Sequence, residues 1–226
     1  MRCWVYIDGF NFYHGAARPN NCKWVDLHRL SQALRANDSI ERIKYFTALV
    51  ENRPDDPDQQ RRQRLYWRAL ATISCLQRIE GQFTSYPRVM PLNESVECLR
   101  KLHRRGCNVT GVRPMMTKVL RCEEKGTDVN LAAHLVNDAH QQNPSRTFEV
   151  ALVLSADSDL CEAIRIVTQE IGKPVFVYTP NSKSHVAKLT AVATNVFSLT
   201  KSKLRASTFP STLTDARGSF SKPWGW

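Results

Sequence analysis

Two apolar runs without polar alternation constrain the fold of this chain most strongly. They are VALVL at 150–154 and VFVY at 175–178. A strand with one face in water alternates apolar and polar residues, whereas a strand covered on both faces stays apolar throughout. Such strands belong to parallel sheets that carry helices on both faces. The sequence therefore predicts an α/β fold, a three-layer α/β/α sandwich around a central, mainly parallel sheet.

Further apolar runs alternate with amphipathic stretches, which is typical of repeated strand and helix units. CWVYI at 3–7 and RIKYFTALV at 42–50 enclose the helical pattern DLHRLSQAL. Residues 200–226 carry no sustained periodicity, so we expect one domain over 1–199 followed by a basic, extended C-terminal tail over 200–226. The other expected elements are a helical segment from Asp58 to Ile79 capped by Asp58, a strand from Phe83 to Val89, a helix from Asn93 to Arg105, a strand from Asn108 to Arg113, and helices from Thr127 to Ala139, Ser158 to Ile171 and His185 to Ala193.

The charge of the chain indicates a polyanionic partner. With 32 Lys and Arg against 21 Asp and Glu, the formal net charge is +11. Nucleic acid is the first partner to consider, and an anionic membrane surface the second. The N-terminus reaches Asp8 after a few apolar residues, and no later stretch is long enough to span a membrane, so we expect no membrane association. The seven cysteines form no CxxC pair, and we expect reduced thiols in an intracellular, cytoplasmic protein.

Acidic residues follow two of the predicted strands at their carboxyl ends. Asp8 ends the run CWVYI, and Gly9 permits a tight turn behind it. Asp157 and Asp159 follow VALVL in the segment SADSDL. Open α/β sheets bind ligands in the crevice beyond the carboxyl ends of their strands. If the two strands are adjacent, Asp8 and Asp157 face each other across that crevice.

A third acid, Asp128, lies in the first turn of the helix predicted after Gly126. Converging carboxylates repel each other unless a cation lies among them. Oxygen ligands favour a hard cation, so Mg²⁺ or Mn²⁺ fits best, and such an ion can activate a water to attack a phosphodiester. Each acid also has a structural alternative as a turn or helix-cap residue, about as plausible taken singly. The three placements together favour a site.

Three segments in this order resemble the motifs of NYN domains, a branch of the PIN-like ribonucleases. The segments are IDGFN at 7–11, EKGTDVNLAAHL at 124–135 and VLSADSDL at 153–160, and the ending LTDARGSFSKPWGW resembles some bacterial members. The resemblance covers most of residues 1–200. It implies a metal-dependent endoribonuclease with catalytic and metal-binding Asp8, Asp128 and Asp157, Asp159 as a further metal ligand, and Asn11 and Ser155 as supporting residues.

Two positions depart from the motifs. Many members have Gly at the position of Ala156, and many have an acid at the position of His134. The second difference leaves the number of metal-binding acids open. On the predicted helix His134 lies at the edge of the face shared by residues 128, 131, 132 and 135, where an interfacial histidine is more common than a ligand.

Basic residues suggest how RNA is held. No acid interrupts the stretch from Arg100 to Arg121, and the positive charges then lead directly to Asp128. Lys125 is the first candidate for a phosphate contact, and the others are Arg121, Lys118 and Arg113. A second cluster, Arg61, Arg62, Arg64 and Arg68, is interleaved with Tyr66 and Trp67, whose rings either stack on unpaired bases or belong to the core. Aromatic stacking favours single-stranded RNA or structured loops.

Other classes of function remain compatible with these residues. An RNA-binding module can retain the acidic pocket without doing chemistry. A phosphoryl-transfer domain of receiver or haloacid type also gathers acids at strand ends, although the DGFN and ADSDL contexts disfavour it. The sequence leaves open RNA against DNA, one or two metal ions, and a monomer or a homo-oligomer.

Overall fold

The computed structural model describes residues 1–53, 55–180 and 186–226. Its strands in chain order are β1 (Arg2–Asp8), β2 (Ser39–Thr47), β3 (Leu76–Glu80), β4 (Gln82–Pro91), β5 (Met116–Lys125), β6 (Val150–Leu154), β7 (Val175–Thr179), β8 (Asn195–Ser198), β9 (Thr212–Asp215) and β10 (Gly218–Ser221). Its α-helices are α1 (Gly9–Phe12), α2 (Leu27–Leu34), α3 (Gln59–Leu70), α4 (Asn93–Arg104), α5 (Thr127–His140), α6 (Cys161–Arg165), α7 (Val186–Val192) and α8 (Lys201–Ala206). A 3₁₀ turn at Ser158–Leu160 precedes α6, and a π turn at Ile166–Glu170 follows it.

The chain divides into two compact units, residues 1–82 with 125–226 (unit 1) and residues 83–124 (unit 2). Unit 1 contains a parallel sheet in the order β3-β2-β1-β6-β7-β8. Side chains of α1, α2, α3 and α8 pack on one face of this sheet, and those of α5, α6 and α7 pack on the other. The predicted three-layer α/β/α sandwich is therefore confirmed.

The central strands are covered on both faces, as the apolar runs predict. Every residue of β6 is buried, and so is every residue of β1 except Arg2. Alternate residues of β1 point to opposite layers: Val5 and Ile7 join the cluster of α1 to α3, whereas Trp4 and Tyr6 join the cluster of α5. Both faces of the strand are thus part of a core.

Unit 2 consists of α4 with most of β4 and β5, which pair as a two-stranded sheet. None of its residues is buried. It instead exposes large apolar side chains, namely Val89, Met90, Leu102, Val112, Met115, Met116, Val119 and Leu120. Unit 2 therefore differs from unit 1 in having no apolar core of its own.

Two element predictions were wrong. The helix expected from Asp58 to Ile79 ends at Leu70, and the rest of that segment forms a turn and β3, the edge strand of the sheet. Asp58 precedes the helix, but its side chain makes no capping hydrogen bond. The strand expected from Asn108 to Arg113 is a turn around Gly111, which has a φ of +81° that a strand cannot adopt, and the strand begins only at Met116.

The segment 200–226 also differs from the expected extended tail. It forms α8 and the hairpin β9–β10, and it belongs to unit 1. Phe209 and Phe220 are buried against Trp24, whose indole N–H donates to the carbonyl of Pro210 at 2.8 Å. Irregularly spaced aromatic residues anchor this segment, and such spacing leaves no periodic signal in the sequence.

The remaining predicted helices lie close to their expected bounds. The last of them begins at Val186, and His185 lies outside the described residues. Among the described residues, no helix combines the length and the apolar character that crossing a membrane requires.

Candidate active site

The strand order of the sheet reverses between β1 and β6, which are neighbours in space but are separated by more than 140 residues in the chain. In open α/β sheets the crevice at such a reversal, beyond the carboxyl ends of the strands, is the usual ligand site. Asp8 is the last residue of β1, and Ser155, Ala156 and Asp157 follow β6 directly. The two acid-bearing segments therefore meet at the crevice, as the sequence predicts.

Hydrogen bonds tie the two strand ends together. The Asp8 carboxylate accepts from the Asn11 backbone N–H at 2.9 Å through one oxygen and from the Ser155 hydroxyl at 3.0 Å through the other. The side-chain oxygen of Asn11 accepts the Ala156 N–H at 3.1 Å. Asp8 is 4% exposed, so these bonds hold a nearly buried carboxylate in one orientation.

Asp157 is fixed by its own turn. Its N–H donates to the Ser155 hydroxyl at 3.1 Å, and one of its carboxylate oxygens accepts the Asp159 N–H at 2.9 Å. Asp157 is thus the cap of the 3₁₀ turn, a structural role that sequence reasoning considered for Asp159 and not for Asp157. Asp157 is half-buried, whereas Asp159 is exposed. Ser155 links Asp8 and Asp157 by contacting both.

Asp128 reaches the same edge of the sheet because of the direction of α5. The Asp138 end of this helix contacts Tyr6, and His134 contacts Phe46, which is level with Asp8 on the neighbouring strand. Helix α5 therefore runs opposite to the strands. Asp128, six residues before His134, lies about 9 Å further along the helix, at a rise of 1.5 Å per residue. It is half-buried beyond the carboxyl ends of β1 and β2.

The donor set suits a hard cation bound in part by water. Within the described residues, no three His, Cys, Asp or Glu side chains lie close enough to hold a metal ion by themselves. Mg²⁺ usually binds through only one or two carboxylates and completes its shell with waters and substrate phosphates. Asp8 and Asp157, which are connected through Ser155, could supply these two carboxylates. Burial raises the pKa of the neighbouring Cys161 thiol, and a thiolate is in any case a soft ligand that a hard cation such as Mg²⁺ does not favour.

A buried polar cluster lies below the crevice, on the α5 side of the sheet. The Lys44 ammonium is paired with the Asp138 carboxylate and lies 3.1 Å from Nδ1 of His134, and the Tyr6 hydroxyl donates to Asp138 at 2.7 Å. Lysine can only donate, so Nδ1 accepts and the proton of neutral His134 is on Nε2. Burial and the Lys44 charge lower the pKa of His134. His134 is therefore an interfacial histidine in this structure.

Sequence reasoning missed Lys44, Asp138 and Tyr6. The signal was present, because a lysine in the middle of the apolar run RIKYFTALV requires a buried partner. Asp138 lies one helical turn after His134, on the same side of α5. The sequence does not indicate which acid meets Lys44, because the two residues are 94 positions apart.

The predicted RNA-binding residues are divided between the two units. Arg113 and Lys118 are exposed residues of unit 2, and Arg121, also in unit 2, forms an ion pair with Glu123. Lys125 is exposed and belongs to unit 1. On α3, Tyr66 and Trp67 are buried in the core, so the alternative of stacking on bases is wrong for these two rings. Arg68 pairs with Asp215, while Arg61 and Arg64 are exposed.

Gly9 is required by the close approach of β2. A Cβ atom at this position would lie 2.6 Å from the carbonyl oxygen of Phe46 and 2.8 Å from the Tyr45 ring. We expect Gly9→Ala to lower the free energy of unfolding by about 1–3 kcal/mol, because the backbone that carries Asp8 must move. Thermal unfolding should show a midpoint lower by roughly 2–12 °C. An unchanged midpoint would mean that the two strands separate without cost.

The fold and the crevice define an open α/β protein with acids at its topological switch point. No family model matches the chain. A curated relative, 6-hydroxy-3-succinoylpyridine 3-monooxygenase from Pseudomonas putida, is 26% identical over 202 residues, which are 80% of this chain and 60% of that protein. The chain thus spans less than two thirds of that relative. A solved structure of a Vibrio parahaemolyticus protein of unknown function aligns over 88% of this chain and 93% of its own, with a TM-score of 0.49 and 14% identity.

Proposed function

We propose that this chain is a metal-dependent endoribonuclease of the NYN branch of PIN-like proteins. The observation that carries the proposal is the pair of Asp8 and Asp157 at the switch point of the sheet, held by Ser155 and Asn11. Hydrogen bonds orient both carboxylates at the edge where open α/β sheets bind ligands, which favours a bound cation.

In this proposal Asp8 and Asp157 bind Mg²⁺ or Mn²⁺ directly, and Asp128 and Asp159 contact waters of its shell, since no three acids of the described residues lie close enough to share one ion. The bound ion supplies Lewis acidity toward the scissile phosphate and lowers the pKa of a coordinated water. Asn11 and Ser155 keep the Asp8 carboxylate oriented, which reduces the reorganisation needed when substrate arrives. His134 is not a ligand, because its Nδ1 accepts from Lys44 and its Nε2 carries the proton.

The basic residues support RNA as the polyanion. Lys125, Arg121, Lys118 and Arg113 would contact phosphates and set affinity rather than the chemistry. Single-stranded RNA or structured loops fit best, because unpaired bases can be reached by protein rings. All seven cysteines are free thiols, which supports a reducing compartment such as the cytoplasm.

Two further candidates have specific support. An RNA-binding module that does no chemistry is compatible with the finding that no three metal-binding side chains converge among the described residues. A monooxygenase acting on a pyridine is suggested by the named activity of the Pseudomonas putida relative. The two candidates predict different behaviour of the purified protein.

One set of incubations separates these classes. Mixed cellular RNA with wild-type protein in Mn²⁺, in Mg²⁺ and in EDTA should show new RNA ends only with a divalent ion. RNA binding that EDTA leaves unchanged, without new ends for any RNA, would replace the nuclease by the binding module. Oxygen uptake that depends on 6-hydroxy-3-succinoylpyridine and on an added two-electron reductant, again without RNA cleavage, would replace it by the monooxygenase.

A further inference from the structure

A cleft lined by aromatic rings opens beside the acidic crevice. Its walls include Gly9, Phe10, Tyr13, Tyr45, Gln59 and Trp226. Gly9 follows Asp8 directly, and Tyr45 belongs to β2, the strand next to β1. Neighbouring strands lie about 5 Å apart, so the cleft is one strand away from the carboxylates. A ligand in the crevice can therefore extend into it.

Two rings of the cleft, those of Trp226 and Tyr45, pack against the core. The Trp226 ring packs against Tyr66 at 6.0 Å and Trp24 at 6.4 Å between centroids, and Lys23 lies over it at 5.9 Å. Tyr45 is buried, and the phenol ring of Tyr45 can approach the backbone of α1 because Gly9 has no Cβ. Fixed aromatic walls bind a flat ring with little loss of side-chain entropy.

Two glutamine amides of α3 line the cleft, and they differ in their hydrogen bonds to the described residues. Gln63 uses its amide to hold the Val50 N–H and the Ala48 carbonyl. The Gln59 amide, one helical turn earlier on the same side of α3, makes no hydrogen bond to any of the described residues. It offers a donor and an acceptor together, which is the pattern that the edge of a heteroaromatic ring requires.

Positive charge and a second ring lie at the mouth of the cleft. Arg62 lines it and is paired there with Asp56. Arg62 also lines an adjoining cleft with Arg61 and Trp224, and Trp224 is 99% exposed. Guanidinium groups beside exposed aromatic rings are typical of surfaces that bind single strands.

We propose that the cleft between α1 and α3 receives one flat heteroaromatic ring, the base of the nucleotide adjoining the phosphate at Asp8 and Asp157. The Gln59 amide bonds the edge of the base, while Tyr13 and Trp226 contact the ring. The inference rests on the proposed nuclease function. Rings of the same chemistry also occur in free pyridines, so the test must distinguish the two sources.

The test uses full-length protein with Ca²⁺ in place of Mg²⁺, under conditions where gels show the RNA uncut, and fluorescent eight-nucleotide RNA that is either intact or abasic. Gln59→Leu should weaken binding of intact RNA about threefold to tenfold, since one hydrogen bond is lost. Tyr13→Leu should weaken it about tenfold through lost stacking. Binding of abasic RNA should stay unchanged in both variants, and so should all binding by the control Gln32→Leu, at an exposed residue of α2.

Equal weakening for intact and abasic RNA, or no weakening by Gln59→Leu, would overturn the proposal. Saturable binding of 6-hydroxypyridine-3-carboxylate, without binding of any nucleoside monophosphate, would overturn the nucleobase as the occupant. Failure of the nuclease function is separable from these outcomes. Base-dependent weakening in a protein that never cuts RNA would support the cleft, whereas RNA cleavage unaffected by the absence of bases would count against it.

Discussion

Asp157→Asn is expected to lower the rate of Mn²⁺-dependent RNA cleavage more than about 100-fold, because changes in the surroundings of metal ligands alone cost 10–100-fold. Asparagine keeps the size of the side chain and caps a helical turn about as well as aspartate does. The substitution removes the negative charge with which residue 157 binds the cation. The expected result is therefore a protein with unchanged thermal unfolding and almost no cleavage.

Glu162→Gln provides the matched control for this prediction. It removes one acidic charge from α6, where Glu162 is exposed and pairs with Arg165. We expect its cleavage rate to stay within about twofold of wild type, because exposed charges act weakly at a distance. Initial rates at saturating Mn²⁺ make the comparison. Similar rates for Asp157→Asn and Glu162→Gln would remove Asp157 from the active site.

Lys44→Met is expected to destabilise the protein by about 3–5 kcal/mol, since the change leaves the Asp138 carboxylate buried without its cation. Lys44 is 4% exposed and Asp138 is 6% exposed, so water cannot replace the lost partner. At roughly 2–4 °C per kcal/mol for a chain of this size, the unfolding midpoint should fall by about 6–20 °C. Calorimetry or circular dichroism measures it.

The double variant Lys44→Met/Asp138→Asn tests whether the unpaired Asp138 carboxylate causes this destabilisation. A neutral amide still accepts the hydrogen bond of Tyr6 but carries no charge that needs a partner. We expect the double variant to be more stable than Lys44→Met alone. The double variant could instead lose as much free energy of unfolding as Lys44→Met and Asp138→Asn lose together. The destabilisation by Lys44→Met would then come from lost packing and not from the unpaired carboxylate.

The sheet and the positions of Asp8 and Asp157 were predictable because the signals are local. An apolar run without alternation indicates a strand with two covered faces, and β6 is such a strand. A carboxylate directly after a strand of this kind lies at the carboxyl edge whatever the rest of the chain does. The sequence does not show that β1 and β6 are neighbours in the sheet, and this adjacency is seen only in the structure.

The features that sequence did not reveal depend on long-range contacts. The Lys44–Asp138 pair joins residues 94 positions apart, and the contact of Trp24 with Pro210 spans 186. Tyr66 and Trp67 occupy a helix rich in arginine, and only its orientation shows that both rings face the core. The aromatic cleft combines residues of α1, β2, α3 and the C-terminal segment, and no single stretch contains its pattern.

The origin of the oxygen atom added during cleavage tests the central claim most directly. If carboxylates at the switch point hold a cation that activates water, RNA cut by wild-type protein with Mn²⁺ in H₂¹⁸O should carry one ¹⁸O in each new terminal phosphate. Mass spectrometry of the fragments measures this. New ends that are cyclic 2′,3′-phosphates without ¹⁸O, formed equally well in EDTA, would show attack by the ribose hydroxyl and contradict the account.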